Sequence, residues 1–433
     1  MSPMKEEAFL KSILLREMVP ATGCTEVGAV ALAAAWAVRA LDVPPDGDES
    51  IEVEVDNNTY KNAVGVGIPG TGETGLGFAA AVGAVAATGE RLGLQILENP
   101  GPATLERARR LLSAGRVRIV RVKESRGILI RARARCGGSE SSALIQGSHD
   151  HLVCVEKDGM IFPGAPVSDK DPSKLAEDVK KLRYGDLVNY AKTVDLAELP
   201  IIREALRMNM AFCEEAKKNS SRKIGQVVEK STRPESCRED LSTKAQFVTA
   251  IAVEARMKGL DLPVMACAGS GNQGLVATIP VAEVAASIGT SEERLLRALI
   301  LSYLTTIYIK TFTGVLSPIC GCGVAAAVGA GCGIVFLLGG EISQIEAQIN
   351  NMVGAMAGII CDGAKSGCAM KALMAVGLAL DSSCLSLENV RIPSGDGIMG
   401  NEVLDTLRNL QKIIENGMPS MDAAILDIMD RNE

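Results

Sequence analysis

The chain has 433 residues, of which 47% are hydrophobic and only 3% aromatic, so its core must be built mainly from Ala, Val, Leu, Ile and Met. At roughly 100 to 200 residues per domain, this length predicts two or three domains and excludes a small stapled scaffold. The net charge of -7 and the high apolar fraction exclude intrinsic disorder. Lys and Arg are dispersed along the chain, which argues against a nucleic-acid-binding surface.

The first 18 residues mix charged and apolar side chains at helical spacing. They lack the uninterrupted apolar stretch that a secretory leader requires, so we expect a cytoplasmic protein. In a reducing compartment a large chain has little use for disulfides. The 12 cysteines are therefore expected to be buried thiols or metal ligands.

Helical periodicity marks the beginning of the chain. Residues 6–18 and 26–41 have the pattern of helices, and Thr22 or Thr25 is the expected cap of the second one. A further helix is predicted at 77–94, between two segments with the pattern of strands.

Four segments of the middle region have the apolar and polar alternation of strands with one buried face. They lie at residues 51–56, 117–122, 127–135 and 143–156. Beyond about residue 197 this pattern almost disappears, and apolar helical segments with glycine-rich turns follow. The middle of the chain is thus predicted to form a sheet and the remainder to be helical.

These patterns predict an α+β fold, in which a mainly helical domain packs with a smaller α/β domain that contains a mixed or antiparallel sheet. We expect N-terminal helices in residues 1–44, packing on the helical domain. The α/β domain is expected at 45–165, and the helical domain, which would carry the chemistry, at 166–433.

Two uncharged runs, at residues 262–282 and 311–340, are longer than the roughly 20 residues that span a bilayer. Both are broken by Pro and several Gly, are rich in Ala, and lack belts of Trp or Tyr. They therefore predict buried helices, and we expect no membrane insertion.

The densest group of cysteines is Cys320, Cys322, Cys332, Cys361 and Cys368. Thiolates in this number suit zinc or an iron-sulfur cluster. Zinc is the weaker interpretation, because this region has no C-x-x-C pair and the chain has only two histidines. Glycines between Cys361 and Cys368 allow one loop to carry both ligands. The alternative is that these thiols are small buried apolar groups.

Cys24 stands at the predicted start of the second helix. Backbone N–H groups and the positive end of the helix dipole favour a thiolate there. Such a thiolate could act as a nucleophile or a base. The alternative is an inert cysteine at a capped helix start.

Two glycine-rich turns, at residues 68–75 and 268–274, precede predicted helices and could each hold a carboxylate or phosphate. Neither matches a nucleotide-binding motif. His149 and His151, two apart in a predicted strand, would face the same side and converge on a substrate or a metal. A histidine pair satisfied by Asp150 is the alternative.

Six segments together carry a resemblance to a known family: ATGCTEVGAVALAAA, IPGTG, QGSHDHLV, AGSGNQGLVATIPV, SPICGCGVAAAVGA and IICDGAKSGCAMKA. In content and order, over nearly the whole chain, they resemble the L-cysteine desulfidase family, a relative of the iron-sulfur L-serine dehydratases. The resemblance implies a pyridoxal-independent lyase with a [4Fe-4S] cluster held by Cys320, Cys361 and Cys368. Cys322 is the alternative to Cys320, and the spacing to Cys361 favours Cys320.

The resemblance also implies that Cys24 accepts a proton during β-elimination. In that reaction an iron without a protein ligand meets the substrate, sulfide departs, and aminoacrylate hydrolyses to pyruvate and ammonia. The candidates for substrate binding are Ser270, Asn272, Gln273 and His149. L-Serine dehydratase is the nearest alternative, and an iron-sulfur sensor or electron carrier is an alternative of another class. The expected partners are a small amino acid and, as one option, a second copy in a homodimer.

Overall fold

The computed structural model describes residues 3–42, 49–88, 92–122, 127–164, 172–218, 224 and 240–431. Within these ranges the chain is mainly helical and contains a six-stranded mixed sheet and a two-stranded antiparallel sheet. The predicted α+β fold with a mixed sheet is confirmed.

The helices of the described residues are α1 (Pro3–Glu17), α2 (Thr25–Leu41), α3 (Asn57–Ala63), α4 (Leu76–Val85), α5 (Pro102–Ser113), α6 (Pro172–Val179), α7 (Tyr184–Thr193), α8 (Pro200–Lys218), α9 (Leu241–Met257), α10 (Gly271–Ser287), α11 (Glu292–Thr313), α12 (Ala327–Leu337), α13 (Ile342–Met356), α14 (Gly367–Leu387), α15 (Val403–Gly417) and α16 (Met421–Asp430). The strands are β1 (Pro20–Thr22), β2 (Ser50–Asp56), β3 (Val117–Val122), β4 (Leu129–Cys136), β5 (Ser139–Gln146), β6 (Leu152–Lys157), β7 (Met160–Pro163) and β8 (Pro263–Met265).

The larger sheet has the strand order β3-β2-β4-β5-β6-β7, and only the β2–β3 pair is parallel. The alternation in β2 places Ile51, Val53 and Val55 in the core. On the opposite face, Glu54 forms ion pairs with Arg131 and Arg133 of β4. One face of the sheet is therefore apolar and must be covered by helices.

Helices α2 and α4 cover the apolar face, and they approach each other very closely where they meet. A Cβ atom added to Gly83 of α4 would lie 2.0 Å from the backbone oxygen of Ala31 in α2. Glycine is therefore required at this crossing, because any side chain would force the helices apart. The scarcity of aromatic residues in the sequence matches this kind of packing.

Two predicted elements of the α/β part are wrong in their extent. Residues 143–156 form two strands, β5 and β6, joined by a turn at 147–151 in which Gly147 has a φ of +83°. The helix predicted at 77–94 ends at Val85 and tightens into a 3₁₀ turn at Ala86–Thr88. Apolar composition continues past both breaks, so periodicity alone does not reveal them.

Neither apolar run of the second half forms one continuous helix. Residues 262–282 comprise β8, a loop and most of α10, and residues 311–340 comprise the end of α11, a loop, a π-helical turn at Cys322–Ala326 and α12. By length and composition, α11 and α14 are the described helices that could cross a membrane. Their most apolar windows are 83% and 50% buried inside the protein.

The N-terminal segment connects the two parts of the molecule. Helix α1 packs against α7 and α11, and β1 pairs with β8 in the helical part. Helix α2, which follows directly, packs instead against α4 and the sheet strands β4 and β5. Cys24, between β1 and α2, therefore lies where the two parts meet.

We predict that Gly83→Ala destabilises the protein by ~1–3 kcal/mol, because the new methyl group collides with the α2 backbone. Gly185→Ala in α7 is the matched control, since a Cβ there has no neighbour within 4 Å. This control should be neutral or stabilising by up to about 1 kcal/mol. Thermal unfolding of both variants measures the effect, and equal melting temperatures would contradict the proposed crossing.

Candidate active site

A cavity of about 90 Å³ lies at the junction of the two parts of the molecule. Its lining includes eight residues singled out in the sequence: Cys24, His149, Ser270, Asn272, Gln273, Cys320, Cys361 and Cys368. Its polar lining further includes Thr25, Glu26, Asn62, Arg256, Lys310, Ser317 and Cys322. The fold therefore brings together side chains as far apart in sequence as those of Cys24 and Cys368.

Cys24 is the N-cap residue of α2, although its side chain makes no capping hydrogen bond to the backbone. Its thiol instead donates to Oε2 of Glu26, at 2.7 Å. Glu26 also accepts hydrogen bonds from Thr25 Oγ1 at 3.1 Å and from Asn62 Nδ2 at 2.8 Å. Cys24, Thr25 and Glu26 lie at the start of α2, and Asn62 reaches Glu26 from α3. The thiol therefore bonds to a carboxylate and not to the helix amide groups.

The hydrogen bond and the burial of Cys24 and Glu26 determine the protonation state of each residue. Burial raises the pKa of the Cys24 thiol well above its usual range, and the Glu26 carboxylate raises it further. Burial also raises the pKa of Glu26, but His149 and the hydrogen bonds from Cys24 and Asn62 outweigh it, so that pKa is lowered. Cys24 is therefore a thiol beside an ionised Glu26. The expectation of a thiolate stabilised by the helix start is wrong, because burial and a neighbouring charge exceed the helix dipole.

The two histidines do not converge. His149 is buried in the turn between β5 and β6 and lines the cavity, with no hydrogen-bond partner for its Nε2 among the described residues. His151 lies outside the cavity lining, and its Nδ1 is 2.8 Å from the backbone oxygen of Gln146. The prediction that His149 and His151 face the same side is wrong, because both residues lie in a turn, where the two-residue period of a strand does not hold.

The glycine-rich turn before α10 supplies one wall of the cavity. Ser270 is the N-cap of this helix but does not cap it with its side chain. Asn272 Oδ1 accepts a hydrogen bond from Nη1 of Arg256 at 3.1 Å. The Oε1 atom of the buried Gln273 has no partner among the described residues. Gln273 Oε1 is therefore an acceptor that a ligand in the cavity could satisfy.

Cys320 and Cys361 reach the cavity from two adjoining loops, and Cys368 reaches it from the helix that follows the second loop. The backbone N–H of Cys320 donates to Ile359 O at 2.8 Å, and that of Cys361 donates to Pro318 O at 2.7 Å. Cys368 lies in the first turn of α14, where its sulfur accepts a hydrogen bond from the backbone N–H of Lys365 at 3.4 Å. A loop does follow Cys361, as predicted, but it ends at Ser366, so the prediction that one loop carries both cysteines is wrong for Cys368.

The chain is similar to known proteins over nearly its whole length. Residues 91–427 match the family model of the serine dehydratase alpha chain. The chain belongs to this family. It is 39% identical to a UPF0597 protein of Caldanaerobacter subterraneus subsp. tengcongensis, over 98% of this chain and 99% of the relative. UPF0597 proteins of Oleidesulfovibrio alaskensis and Aeromonas hydrophila are 40% and 38% identical, with at least 95% of each chain covered.

Membership of the serine dehydratase alpha-chain family supports a lyase of the serine dehydratase type. The cavity is consistent with such chemistry, because it combines an acid-base pair with unpartnered polar groups for a small ligand.

Sequence reasoning missed several polar residues of the cavity, among them Asn62, Arg256 and Lys310. For Lys310 a signal existed, because it is the only charged residue between Arg297 and Glu341. An isolated charge in a long apolar segment indicates a buried functional group. Asn62 and Arg256 lie among ordinary helical residues, and only the tertiary structure brings them to the site.

We predict that Glu26→Gln lowers the pKa of Cys24, because the substitution removes the negative charge that disfavours the thiolate. Alkylation of Cys24 by iodoacetamide, followed against pH by mass spectrometry of the peptide that contains it, should shift to lower pH. Glu26→Asp retains the charge and is the matched control. An unchanged alkylation profile in Glu26→Gln would contradict the described electrostatics.

Proposed function

We propose that the protein is a pyridoxal-independent lyase that converts L-cysteine to pyruvate, ammonia and sulfide by β-elimination. The observation that carries this proposal is a single cavity that contains the Cys24–Glu26 pair and the three cysteines Cys320, Cys361 and Cys368. Family membership supports the lyase reaction. The resemblance to L-cysteine desulfidases favours a sulfur leaving group, and L-serine dehydratase remains the alternative.

The donor type of the cavity fits a [4Fe-4S] cluster, because three thiols, those of Cys320, Cys361 and Cys368, line it together. Cysteine thiolates are the usual protein ligands of such clusters. We therefore propose Cys320, Cys361 and Cys368 as ligands of a cluster that, when bound, supplies an iron as a Lewis acid toward the leaving group.

Positive side chains around the three cysteines support this assignment, because thiolates in a buried site need compensating charge. Burial lowers the pKa of Lys310 to about 8, although Cys361, Cys322 and Cys320 raise it. Its Nζ donates to the backbone oxygen of Val315 at 3.1 Å. A lysine held in this position counters negative charge on ligand thiolates.

The backbone geometry favours Cys320 over Cys322 as the ligand. Ile319 and Ile360 form an isolated β-bridge, and the hydrogen bonds of Cys320 to Ile359 and of Cys361 to Pro318 flank it. Cys320 therefore lies directly beside the loop that carries Cys361, whereas Cys322 begins the π-helical turn that follows.

In the proposed reaction Cys24 and Glu26 act as one proton-accepting unit. The Cys24 sulfur takes the α-proton of the substrate while its own thiol proton passes to Glu26 Oε2, 2.7 Å away. The electron pair of the Cα–H bond forms the Cα–Cβ double bond, and the Cβ–S bond breaks with its electrons leaving on sulfur. Aminoacrylate then hydrolyses to pyruvate and ammonia.

The alternative class, an iron-sulfur sensor or electron carrier, has less support from the cavity. Electron transfer needs neither a buried thiol–carboxylate pair nor unpartnered polar groups such as His149 Nε2 and Gln273 Oε1. A bound small molecule would satisfy those groups. We accordingly propose a small amino acid as the ligand of a cytoplasmic enzyme.

Anaerobic purification, reconstitution with iron and sulfide, and assay of L-cysteine and L-serine test this function. We expect sulfide and pyruvate in equal amounts from L-cysteine. Pyruvate from L-serine alone would assign the protein as the dehydratase. Consumption of neither amino acid by protein with a full cluster would refute the lyase proposal.

We predict that Cys24→Ala abolishes turnover and leaves the visible absorption of the cluster intact, because Cys24 serves the proton transfer and not metal binding. Cys361→Ala should lose both iron and activity. Cys384→Ala, at an exposed cysteine outside the cavity lining, is the control and should retain both. Retained turnover in Cys24→Ala, or full iron content in Cys361→Ala, would remove that residue from its assigned role.

A further inference from the structure

Arg256 is a buried guanidinium that forms no ion pair with any of the described residues. It lies at the end of α9, is 3% exposed, and lines the cavity. Nη1 donates to Asn272 Oδ1 at 3.1 Å, Nη2 donates to the backbone oxygen of Gly23, and Nε has no partner among the described residues. Glu254, two residues earlier, pairs with Lys258 instead. A charge buried in this way is costly unless an anion accompanies it.

The surroundings of Arg256 also favour an anion. A Cβ atom added to Gly271 would lie 2.6 Å from both Cζ and Nε of Arg256, so the guanidinium rests directly on the first residue of α10. The amino end of this helix carries partial positive charge, and Ser270 does not cap it with its side chain. Two positive groups thus face the same space, and an anion between them would satisfy both.

The opposite charge is present in the same cavity. Glu26 is buried and lines the cavity. Burial raises the pKa of its carboxyl group, but His149 and the hydrogen bonds from Cys24 and Asn62 outweigh burial and lower that pKa. Glu26 is therefore ionised. A simple inorganic anion would be repelled by this carboxylate. A zwitterion matches both charges, because its carboxylate can face Arg256 and its ammonium group can face Glu26. The cavity volume of about 90 Å³ limits this ligand to a small molecule.

We propose that Arg256 binds the α-carboxylate of the substrate and makes the site selective for α-amino acids over analogues that lack this group. This inference rests on the proposed lyase function for the identity of the substrate. A guanidinium presents paired donors to a carboxylate, and a lysine at this position would not reproduce that geometry. Arg256 is therefore a substrate-binding residue, separate from the Cys24–Glu26 pair.

The test compares two unreactive ligands that differ only in the proposed contact, L-alanine and L-alaninamide. Their binding to the reconstituted enzyme is measured by anaerobic calorimetry. The wild type should bind L-alanine about 10- to 100-fold more tightly than L-alaninamide, as expected for hydrogen bonds between charged groups. Arg256→Gln should abolish this preference and raise KM far more than it lowers kcat.

Arg256→Lys provides a second variant in case the glutamine protein does not fold, and it should show an intermediate preference. Arg297→Gln is the matched control, because Arg297 bonds to the backbone oxygens of Ala191 and Val194 and lies outside the cavity lining. It should behave as the wild type.

Failure of this inference is distinguishable from failure of the proposed reaction. A wild type that binds both ligands equally, or an Arg256→Gln variant that keeps the full preference for L-alanine, would overturn the role of Arg256. If L-alanine is preferred in an Arg256-dependent manner but neither L-cysteine nor L-serine is consumed, the carboxylate site stands and the lyase proposal fails.

Discussion

The architecture depends on close approach between backbones, which only small side chains permit. Where α2 crosses α4, no side chain fits at Gly83, and where α10 approaches β8, none fits at Gly274, because an added Cβ would lie 1.8 Å from the backbone oxygen of Met265. With few aromatic residues to separate the helices, short loops at helix ends come within reach of one another. The candidate active site lies where such ends meet, and it is assembled from turns and helix termini that the surrounding core holds in place.

This arrangement buries charges that do not neutralise one another. Glu26, Arg256 and Lys310 all line one small cavity, and no ion pair joins any two of them in the described part of the chain. Burial of separate charges costs stability, which the extensive apolar core around the cavity must offset. Preorganised charges of this kind are typical of sites that act on a polar substrate, since they need little rearrangement when charge develops.

Cys24 illustrates the difference between a local and a tertiary argument. From the sequence, a cysteine at a helix start is expected to ionise easily, and the helix does begin there. The structure reverses the conclusion, because the Glu26 carboxylate accepts a hydrogen bond from the sulfur and both side chains are buried. The thiol and the carboxylate then form a unit whose protonation neither residue would show alone. The proposed proton transfer follows from this pair and not from the helix dipole.

The sequence by itself determined the secondary structure of the regular segments and the types of residue at the site. Strand β2, helix α2 and the cysteine loops were predictable because alternation, helical periodicity and glycine turns act over a few residues. Only the tertiary structure decided that Arg256, Asn62 and Lys310 share a cavity with Cys24, that His151 does not, and that Cys24 is protonated. Those properties depend on long-range contacts, burial and the distances between charges, which no local pattern contains.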